Sequence, residues 1–322
     1  MAGAEVRGPV ATAVGRGDGF DRGRAERGGA AATWRAFATS ARLGWQMEAN
    51  WTDPLLFFIY SVAKPLASAL ILVLMVQIVS GGGTGAASAR AFVVIGSALW
   101  SFVLAGVQGI AWSVLDDRER YRMLKYLYVS PSDFLVVLVG RGVARVGVGG
   151  MGALITLAAG VIFLGVPFDP AHADWGLGLL IMVGGLAAVV ALGILMAAVC
   201  LQTRQESWSY PEAVAGALFL LVGAVFPLSV LPLPVQGVSL LLPLTWWMAG
   251  FRQAVFPATT SSIGGDGSLF QALTGTATPG TATIVLALLA TTALVTLVTA
   301  VLFRFSERRA KDRGLIDRTT GS

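Results

Sequence analysis

The residues that could carry out chemistry are few in this chain. It holds one cysteine, Cys200, and one histidine, His172, so it has no disulfide pair. A zinc or iron site needs three or four ligands, and here carboxylates would have to supply nearly all of them. The same scarcity leaves no cluster of histidine, cysteine and carboxylate for an enzyme. We therefore expect no catalytic residue, no metal and no cofactor bound by the chain itself.

The lysines of this chain exclude a P-loop ATPase. A Walker A loop requires a lysine that follows glycine and precedes serine or threonine. The three lysines follow alanine or leucine instead (Lys64, Lys125 and Lys311). Energy from ATP would then be supplied most simply by a separate ATPase subunit.

The composition indicates which elements hold these residues. The chain has 322 residues, of which 55% are hydrophobic and 13% are charged. Its mean hydropathy is +0.74, whereas a soluble domain carries about 25% charged residues. These values predict a membrane protein. The net charge of +5 could suggest a nucleic-acid partner, but the placement of the basic residues favours membrane topology, and we expect no nucleic acid.

Six apolar runs are long enough to be transmembrane helices. A span needs about 20 mostly apolar residues, because the hydrocarbon core is about 30 Å thick and each helical residue rises ~1.5 Å. The predicted fold is therefore an all-α, polytopic integral membrane protein. The predicted spans are Leu55–Val79, Ala91–Leu115, Val146–Val166, Gly176–Cys200, Ala213–Val230 and Thr281–Phe303.

The basic residues predict the orientation of these spans. Twenty lysines and arginines lie in the two tails and the even-numbered connections, against only Arg90 and Arg252 on the other side; Lys64 lies inside the first run. The positive-inside rule then places both termini in the cytoplasm of a multi-pass cell-membrane protein. We divide the chain into a disordered cytoplasmic tail (1–32), a transmembrane domain (33–303) and a cytoplasmic C-terminal tail (304–322).

Two amphipathic stretches flank the first spans. Between Trp34 and Glu48 the helical spacing and clustered tryptophans favour an interfacial helix in the headgroup region; the alternative is a cytosolic helix packed on another part of the protein. The second stretch, RERYRMLKYLYV (118–129), predicts a helix with aromatic and leucine side chains on one face, followed by a new helix start at Ser130. This helix would lie on lipid headgroups or dock on a cytosolic partner.

A resemblance favours the docking role. The stretch MLKYLYVSPSDF followed by the Gly140-Arg141 pair resembles the permeases of type-2 ABC exporters, although family members commonly carry Gly-Thr near Tyr121-Arg122-Met123. The resemblance implies a homodimer, or a heterodimer with a related permease, and a separate ATPase that binds ATP and Mg. It also implies a coupling helix to that ATPase, formed by Arg118, Glu119, Tyr121, Arg122, Leu124, Leu127, Tyr128 and Ser130.

A second matching motif is FPLSVLPLPVQGVSLLLPLTWWMAGFRQAVF (226–256). It is too apolar for an aqueous loop, yet its prolines forbid one long helix. Broken backbone at membrane depth must be buried in protein or line a cavity. We predict two short re-entrant helices on the outer side, interfacial anchoring by tryptophans, and an exposed outer loop over 257–280. The residues assigned to this segment are Pro227, Pro232, Pro243, Trp246 and Trp247.

Candidates for a transport pathway are the polar residues of the second run, Ser97, Ser101 and Gln108. Gln108 could instead pair helices, since polar side chains hydrogen-bond across spans. Glycines in the third and fourth runs predict close helix packing. The mostly apolar spans favour a hydrophobic or amphipathic substrate. The alternatives are an ion-coupled secondary carrier, which usually needs ionisable groups inside the membrane, and a non-transporting anchor subunit.

Overall fold

The computed structural model describes residues 29–49, 54–79, 85–129, 133–203, 209–257, 259 and 261–312. Every regular element in these ranges is helical. Most of the predicted disordered tail (1–32) therefore lies outside the described residues. Ser130 lies outside them as well. The all-α prediction is confirmed.

Eleven helices follow one another along the described part of the chain. The third is a composite: α3 begins as Gly85–Val103, passes through a π-turn at Leu104–Gln108 and an α-helical stretch at Gly109–Leu115, and ends in a π-turn at Asp116–Arg120. The others are α1 (Ala30–Ala49), α2 (Pro54–Val79), α4 (Leu124–Val129), α5 (Phe134–Phe163), α6 (Trp175–Gln202), α7 (Ser209–Leu221), α8 (Leu233–Leu241), α9 (Pro243–Val255), α10 (Leu269–Thr274) and α11 (Thr281–Asp312).

Four of these helices are long and apolar enough to cross a membrane. They cover Ala87–Glu119, Phe134–Phe163, Trp175–Gln202 and Thr281–Ala310, which contain most of the second, third, fourth and sixth predicted runs. Each is longer than a span requires, so its end extends beyond about 30 Å of hydrocarbon. Shorter apolar helical stretches occupy Leu66–Met75 within α2 and Ser209–Leu221 in α7.

The fifth predicted run differs from the structure. Ala213–Val230 was expected to be one span, but α7 ends at Leu221, and the chain continues through a turn to a 3₁₀ turn at Leu228–Val230. Gly223 in this turn has a φ of +70°, which glycine adopts without the penalty that other residues meet. A helix of 13 residues is about 20 Å long. It is too short to cross the hydrocarbon alone.

Helix ends group at two opposite ends of the bundle. At one end, the side-chain amide of Gln202 in α6 donates to the backbone carbonyl of Ser306 in α11, 2.7 Å away. At the other end, the Asp174 amide before α6 donates to the Ala254 carbonyl of α9 at 2.8 Å. We call these the charged end and the proline end, after the residues described below.

Glycines bring the long helices together between these ends. A Cβ on Gly193 of α6 would lie 2.5 Å from the Gly106 carbonyl oxygen of α3, and one on Gly149 of α5 would lie 2.7 Å from the Ser101 carbonyl oxygen. Neither contact leaves room for a methyl group. The predicted close packing through glycine in the third and fourth spans is confirmed, and the glycines allow the backbones of α3, α5 and α6 to approach one another.

The Gly193 contact predicts a specific sensitivity. Gly193→Ala should lower the free energy of unfolding by about 1–3 kcal/mol, because the added methyl group overpacks a backbone contact. Thermal unfolding in detergent would measure the change. Gly147→Ala is the matched control, since its Cβ would meet only the Trp45 ring at 3.7 Å. Equal melting temperatures for the two variants would contradict the prediction.

Candidate functional site: the charged layer and helix α4

Among the described residues, two ion pairs join helices at the charged end, and a third lies within the end of α3. Arg141 of α5 pairs with Asp117 at the end of α3, Arg145 of α5 pairs with Glu48 of α1 at 2.8 Å, and Arg118 pairs with its neighbour Glu119 at 2.8 Å. We call these six residues the charged layer. Arg141 and Asp117 are only 9% and 4% exposed, and removing one partner of a buried pair costs about 3–5 kcal/mol.

The Gly140-Arg141 motif has a structural explanation in this layer. A Cβ on Gly140 would lie 2.7 Å from the Phe37 carbonyl oxygen and 2.9 Å from the Ser40 Cβ atom, so glycine allows α1 to pack directly on α5. The next residue, Arg141, then reaches Asp117 on one side and the Met47 sulfur, 3.2 Å away, on the other. The pair therefore links α1, α3 and α5 at one point.

Arg118 extends the layer to α6. Its guanidinium donates from Nη1 to the carbonyl oxygens of Cys200 at 3.0 Å and Thr203 at 3.1 Å. These carbonyls lie at the C-terminal end of α6, where cations are favoured. Arg118, which was predicted to be part of the coupling helix, is instead buried in the contact with α6.

The expected single helix from Arg118 to Val129 is also wrong. The chain leaves the helix at Tyr121–Met123, where Arg122 has a φ of +51°, and α4 begins only at Leu124. The break is held by the last turn of α3, since the Tyr121 and Met123 amides each donate at 2.8 Å, to the carbonyls of Asp116 and Asp117. Asp133 caps the next helix by accepting from the Leu135 amide at 2.8 Å. The cap of α5 is thus Asp133, and Ser130 lies outside the described residues.

Leu124 faces the chain's own interior, which corrects its predicted role as an outward anchor. It is 1% exposed and belongs to an apolar cluster with Phe134 and Leu138 of α5 and Phe303 of α11. Leu127 packs partly buried against the same cluster. Leu124 therefore fastens α4 to the long helices and is not available to a partner.

The outward face of this segment consists of other residues. Tyr121, Met123 and Tyr126 are 44%, 49% and 65% exposed, and Arg122 is also exposed. The sequence reasoning missed Met123 and Tyr126, because a continuous helix would have placed them beside the predicted face. The side chain of Tyr128 lies outside the described residues.

An apolar groove of about 460 Å³ opens next to the layer, between the N-terminal halves of α1 and α5. Its lining includes Trp34 and Phe37 of α1, whose rings stack with centroids 5.4 Å apart, and Val139 of α5. Trp34 is 66% exposed at this groove. α1 is thus packed on α5 along one side and presents tryptophan on another.

The predicted pathway residues lie along α3. Ser101 donates to the Ser97 carbonyl at 3.4 Å within its own helix, and the Ser97 hydroxyl is buried without a hydrogen bond. Gln108 is half-buried at the end of the first π-turn, and its side chain makes no hydrogen bond to any described residue. Nothing in the described chain therefore supports the helix-pairing explanation for Gln108, and π-turns often mark functional sites.

The second motif is broken where its prolines predict. Pro227 precedes the 3₁₀ turn, Pro232 precedes α8, and Pro243 begins α9. The predicted interfacial anchoring by Trp246 and Trp247 is not observed. Their side chains are 6% and 0% exposed, and Trp247 packs against Gly185 of α6. The segment 257–280 is likewise more than an exposed loop, because it contains α10 and buries side chains such as Ile263 and Phe270.

Few side chains with metal-binding imidazole or nucleophilic thiol groups lie in the described residues outside the charged layer. No group of three or more histidine, cysteine or carboxylate side chains there could hold a metal ion. Cys200 is buried. The exposed His172 imidazole is 2.6 Å from Asp169, and this hydrogen bond holds the pKa of the Asp169 carboxyl below its usual range.

Comparison with known proteins agrees with this geometry. Residues 39–256, about two thirds of the chain, match the family of ABC-2 type transporters. The chain belongs to this family, so the predicted resemblance is confirmed. Members are the transmembrane subunits of ABC transporters and lack an ATPase of their own. The protein is thus a multi-pass ABC transporter permease. No curated protein matches the chain.

The burial of Leu124 makes a testable distinction. Leu124→Asp should destabilise the permease itself by several kcal/mol, because it places an unpaired carboxylate in an apolar cluster. Met123→Asp, at the exposed neighbouring position, is the matched control and should remain folded. Thermal unfolding and gel filtration in detergent would separate the two. A Leu124→Asp protein as stable as Met123→Asp would contradict the observed packing.

Gln108 allows a second test. Gln108→Leu should leave the free energy of unfolding within about 0.5 kcal/mol of the parent, since no hydrogen bond within the described chain is lost. If the residue contacts substrate, the same change should alter transport selectivity in reconstituted vesicles. A lower melting temperature with an unchanged substrate profile would assign Gln108 to helix packing instead.

Proposed function

We propose that this permease is the membrane subunit of an ATP-driven exporter and that a separate ABC ATPase docks on residues 121–129, which comprise the break and α4 and which we call the α4 segment. The observation that carries this proposal is the construction of that segment. Its inner face is buried among the long helices, while Tyr121, Met123 and Tyr126 face outward. A rigidly held element with an exposed aromatic face suits transmission of force from a partner.

The residues from Arg118 through the break to Leu124 of α4 contact four long helices. The backbone at Met123 is bonded to the end of α3, Leu124 packs against α5 and α11, and Arg118 beside the break is bonded to the end of α6. A displacement of α4 therefore acts on all four helices at once. The absence of a Walker A loop in the sequence is consistent with ATP and Mg bound by the partner.

In the proposed topology, the charged end faces the cytoplasm with both termini, and the proline end faces outward across the cell membrane. Support comes from the twenty-to-two distribution of basic residues. α2, and α7 together with the turn that follows it, would complete six spans, and α8 and α9 would form the re-entrant pair. The exposed Trp34 and the groove between α1 and α5 support a position of α1 in the headgroup region.

The substrate proposed is hydrophobic or amphipathic, such as a drug, a lipid or a glycan-like molecule, since the spans are mainly apolar. Few spans are available to enclose a pathway, which supports a homodimer or a heterodimer with a related permease. The buried Asp117–Arg141 pair favours a second candidate, an ion-coupled carrier, because buried ionisable groups can couple to ions. Transport that needs ATP and the ATPase, and that persists with ionophores, would exclude this candidate and a non-transporting anchor.

The docking surface can be tested with two exposed tyrosines. Tyr126→Glu should weaken binding of the purified ATPase by about 2 kcal/mol or more, roughly 30-fold, because exposed aromatics at the centre of an interface carry much of its energy. Tyr210→Glu is the matched control, since Tyr210 is 44% exposed at the start of α7, on the same predicted side. Equilibrium binding to the reconstituted permease would measure both.

The fold of each variant should be intact, because both side chains already face outward. Coupled ATP hydrolysis and export should fall with Tyr126→Glu and persist with Tyr210→Glu. Parent-like ATPase affinity for Tyr126→Glu would place the docking surface elsewhere.

A further inference from the structure

A buried arginine organises the proline end. Arg252 of α9 is 1% exposed, and its guanidinium donates from Nη1 to the Gly223 carbonyl at 3.0 Å. Its Nη2 donates to the Ala224 carbonyl at 2.8 Å and to the Phe92 carbonyl at 3.2 Å. The Arg252 side chain therefore joins α9, the turn after α7, and the beginning of α3.

No carboxylate contacts this guanidinium in the part of the chain that the structure describes. The Arg252 guanidinium lies 3.8 Å from the centre of the Phe92 ring, and its Nε atom has no hydrogen bond. A buried cation without a counter-ion is unfavourable unless dipoles replace its water. Arg252 is also one of the two basic residues that the sequence places on the outer side. Its position is therefore explained by the carbonyls and not by solvent.

The carbonyls are available because α7 ends early. Gly223 and Ala224 lie just beyond the last residue of α7, so their carbonyls are not paired within a helix, and cations are favoured at a helix C-terminus. Here the chain turns at Gly223 instead of adding the turns that would complete a span. The fork of an arginine can satisfy two carbonyls at once, which a lysine cannot do with the same geometry.

Gly96 on α3 completes the junction. A Cβ at this position would lie 1.8 Å from the Ala224 carbonyl oxygen and 2.5 Å from Nη2 of Arg252. The turn and the guanidinium thus lie directly on the backbone of α3. From Phe92 at this junction to Asp117 in the charged layer, α3 is continuous over roughly 38 Å.

We infer that Arg252 is a positioning residue for export. It fixes the segment 222–231 to α3, so that a displacement of α3 at its end next to α4 reaches the proline end. This inference rests on the proposed function, since α4 must be where force enters. Without the arginine fork, α3 could move and leave the segment 222–231 behind. ATP hydrolysis would then continue with little export.

The test uses two changes on opposite sides of the junction. Arg252→Lys keeps the charge and removes the fork, and Gly96→Ala leaves Arg252 intact and pushes its partners apart. Each should raise amide hydrogen exchange in 222–231 by about tenfold or more, by opening this segment locally. Each should also lower export per folded permease by roughly tenfold, while the ATPase remains bound and ATP hydrolysis continues. The double variant should lose less than the product of the two single effects, because both act at one junction.

Arg90→Lys and Gly216→Ala are the matched controls and should change neither measurement. Arg90 is the other basic residue on the predicted outer side, and a Cβ on Gly216 of α7 would meet nothing within 4 Å. Unchanged exchange in 222–231 would overturn the junction itself. Raised exchange with unchanged export per folded molecule would overturn the positioning role and leave a structural one.

The parent protein separates these outcomes from a failure of the proposed function. If the parent and its ATPase show no ATP-dependent export, the exporter assignment and the positioning role both fall. Hydrogen exchange then still decides whether Arg252 holds the broken segment on α3.

Discussion

The ion pair between Arg141 and Asp117 is the interaction on which the charged end depends. It joins α5 to the last turn of α3 in a place that water barely reaches. Gly140 beside it allows α1 to pack against α5, where Met47 of α1 meets the same guanidinium. The turn that carries Asp117 also holds Met123 through its backbone. The position of α4 therefore depends on this pair together with the apolar contacts of Leu124.

The two ends of the permease satisfy their backbone groups and charges with different partners. Where helices end or break, backbone groups and charges need partners, because hydrocarbon supplies none. At the charged end, arginines pair with carboxylates and with the terminal carbonyls of α6. At the proline end, Arg252 pairs with carbonyls alone. Between the ends, α3, α5 and α6 meet through glycines. Charged contacts thus occur at both ends of these helices, whereas the contacts between them are mainly apolar, apart from bonds such as that from the Thr299 hydroxyl of α11 to the Ala191 carbonyl of α6.

The sequence predicts much of this fold and less of the candidate site. Four long apolar helices and the proline-induced breaks follow from hydropathy and from the missing amide of proline. The prediction of one continuous span for the fifth run was wrong. Its residues stay apolar past Leu221, so hydropathy gives no sign of the break, and the partner that makes the break possible is the distant Arg252. The predicted roles of Leu124, Trp246 and Trp247 were wrong for a related reason. Periodicity and residue type show that they share an apolar face, but both a neighbouring helix and a partner or headgroup layer can cover such a face.

By itself the sequence determines the class of protein, the approximate spans, the broken segment and the lack of an ATP site. These properties depend on neighbouring residues, since the bilayer selects for local hydropathy and proline acts on its own backbone. Only the tertiary structure decides which charges pair, that the chain breaks at Arg122 between α3 and α4, and that Arg252 binds the carbonyls of the proline end. Arg141 and Asp117 are 24 residues apart, Arg118 and Cys200 are 82 apart, and Arg252 and Phe92 are 160 apart. Contacts across such separations arise from how the helices pack, which no local pattern specifies.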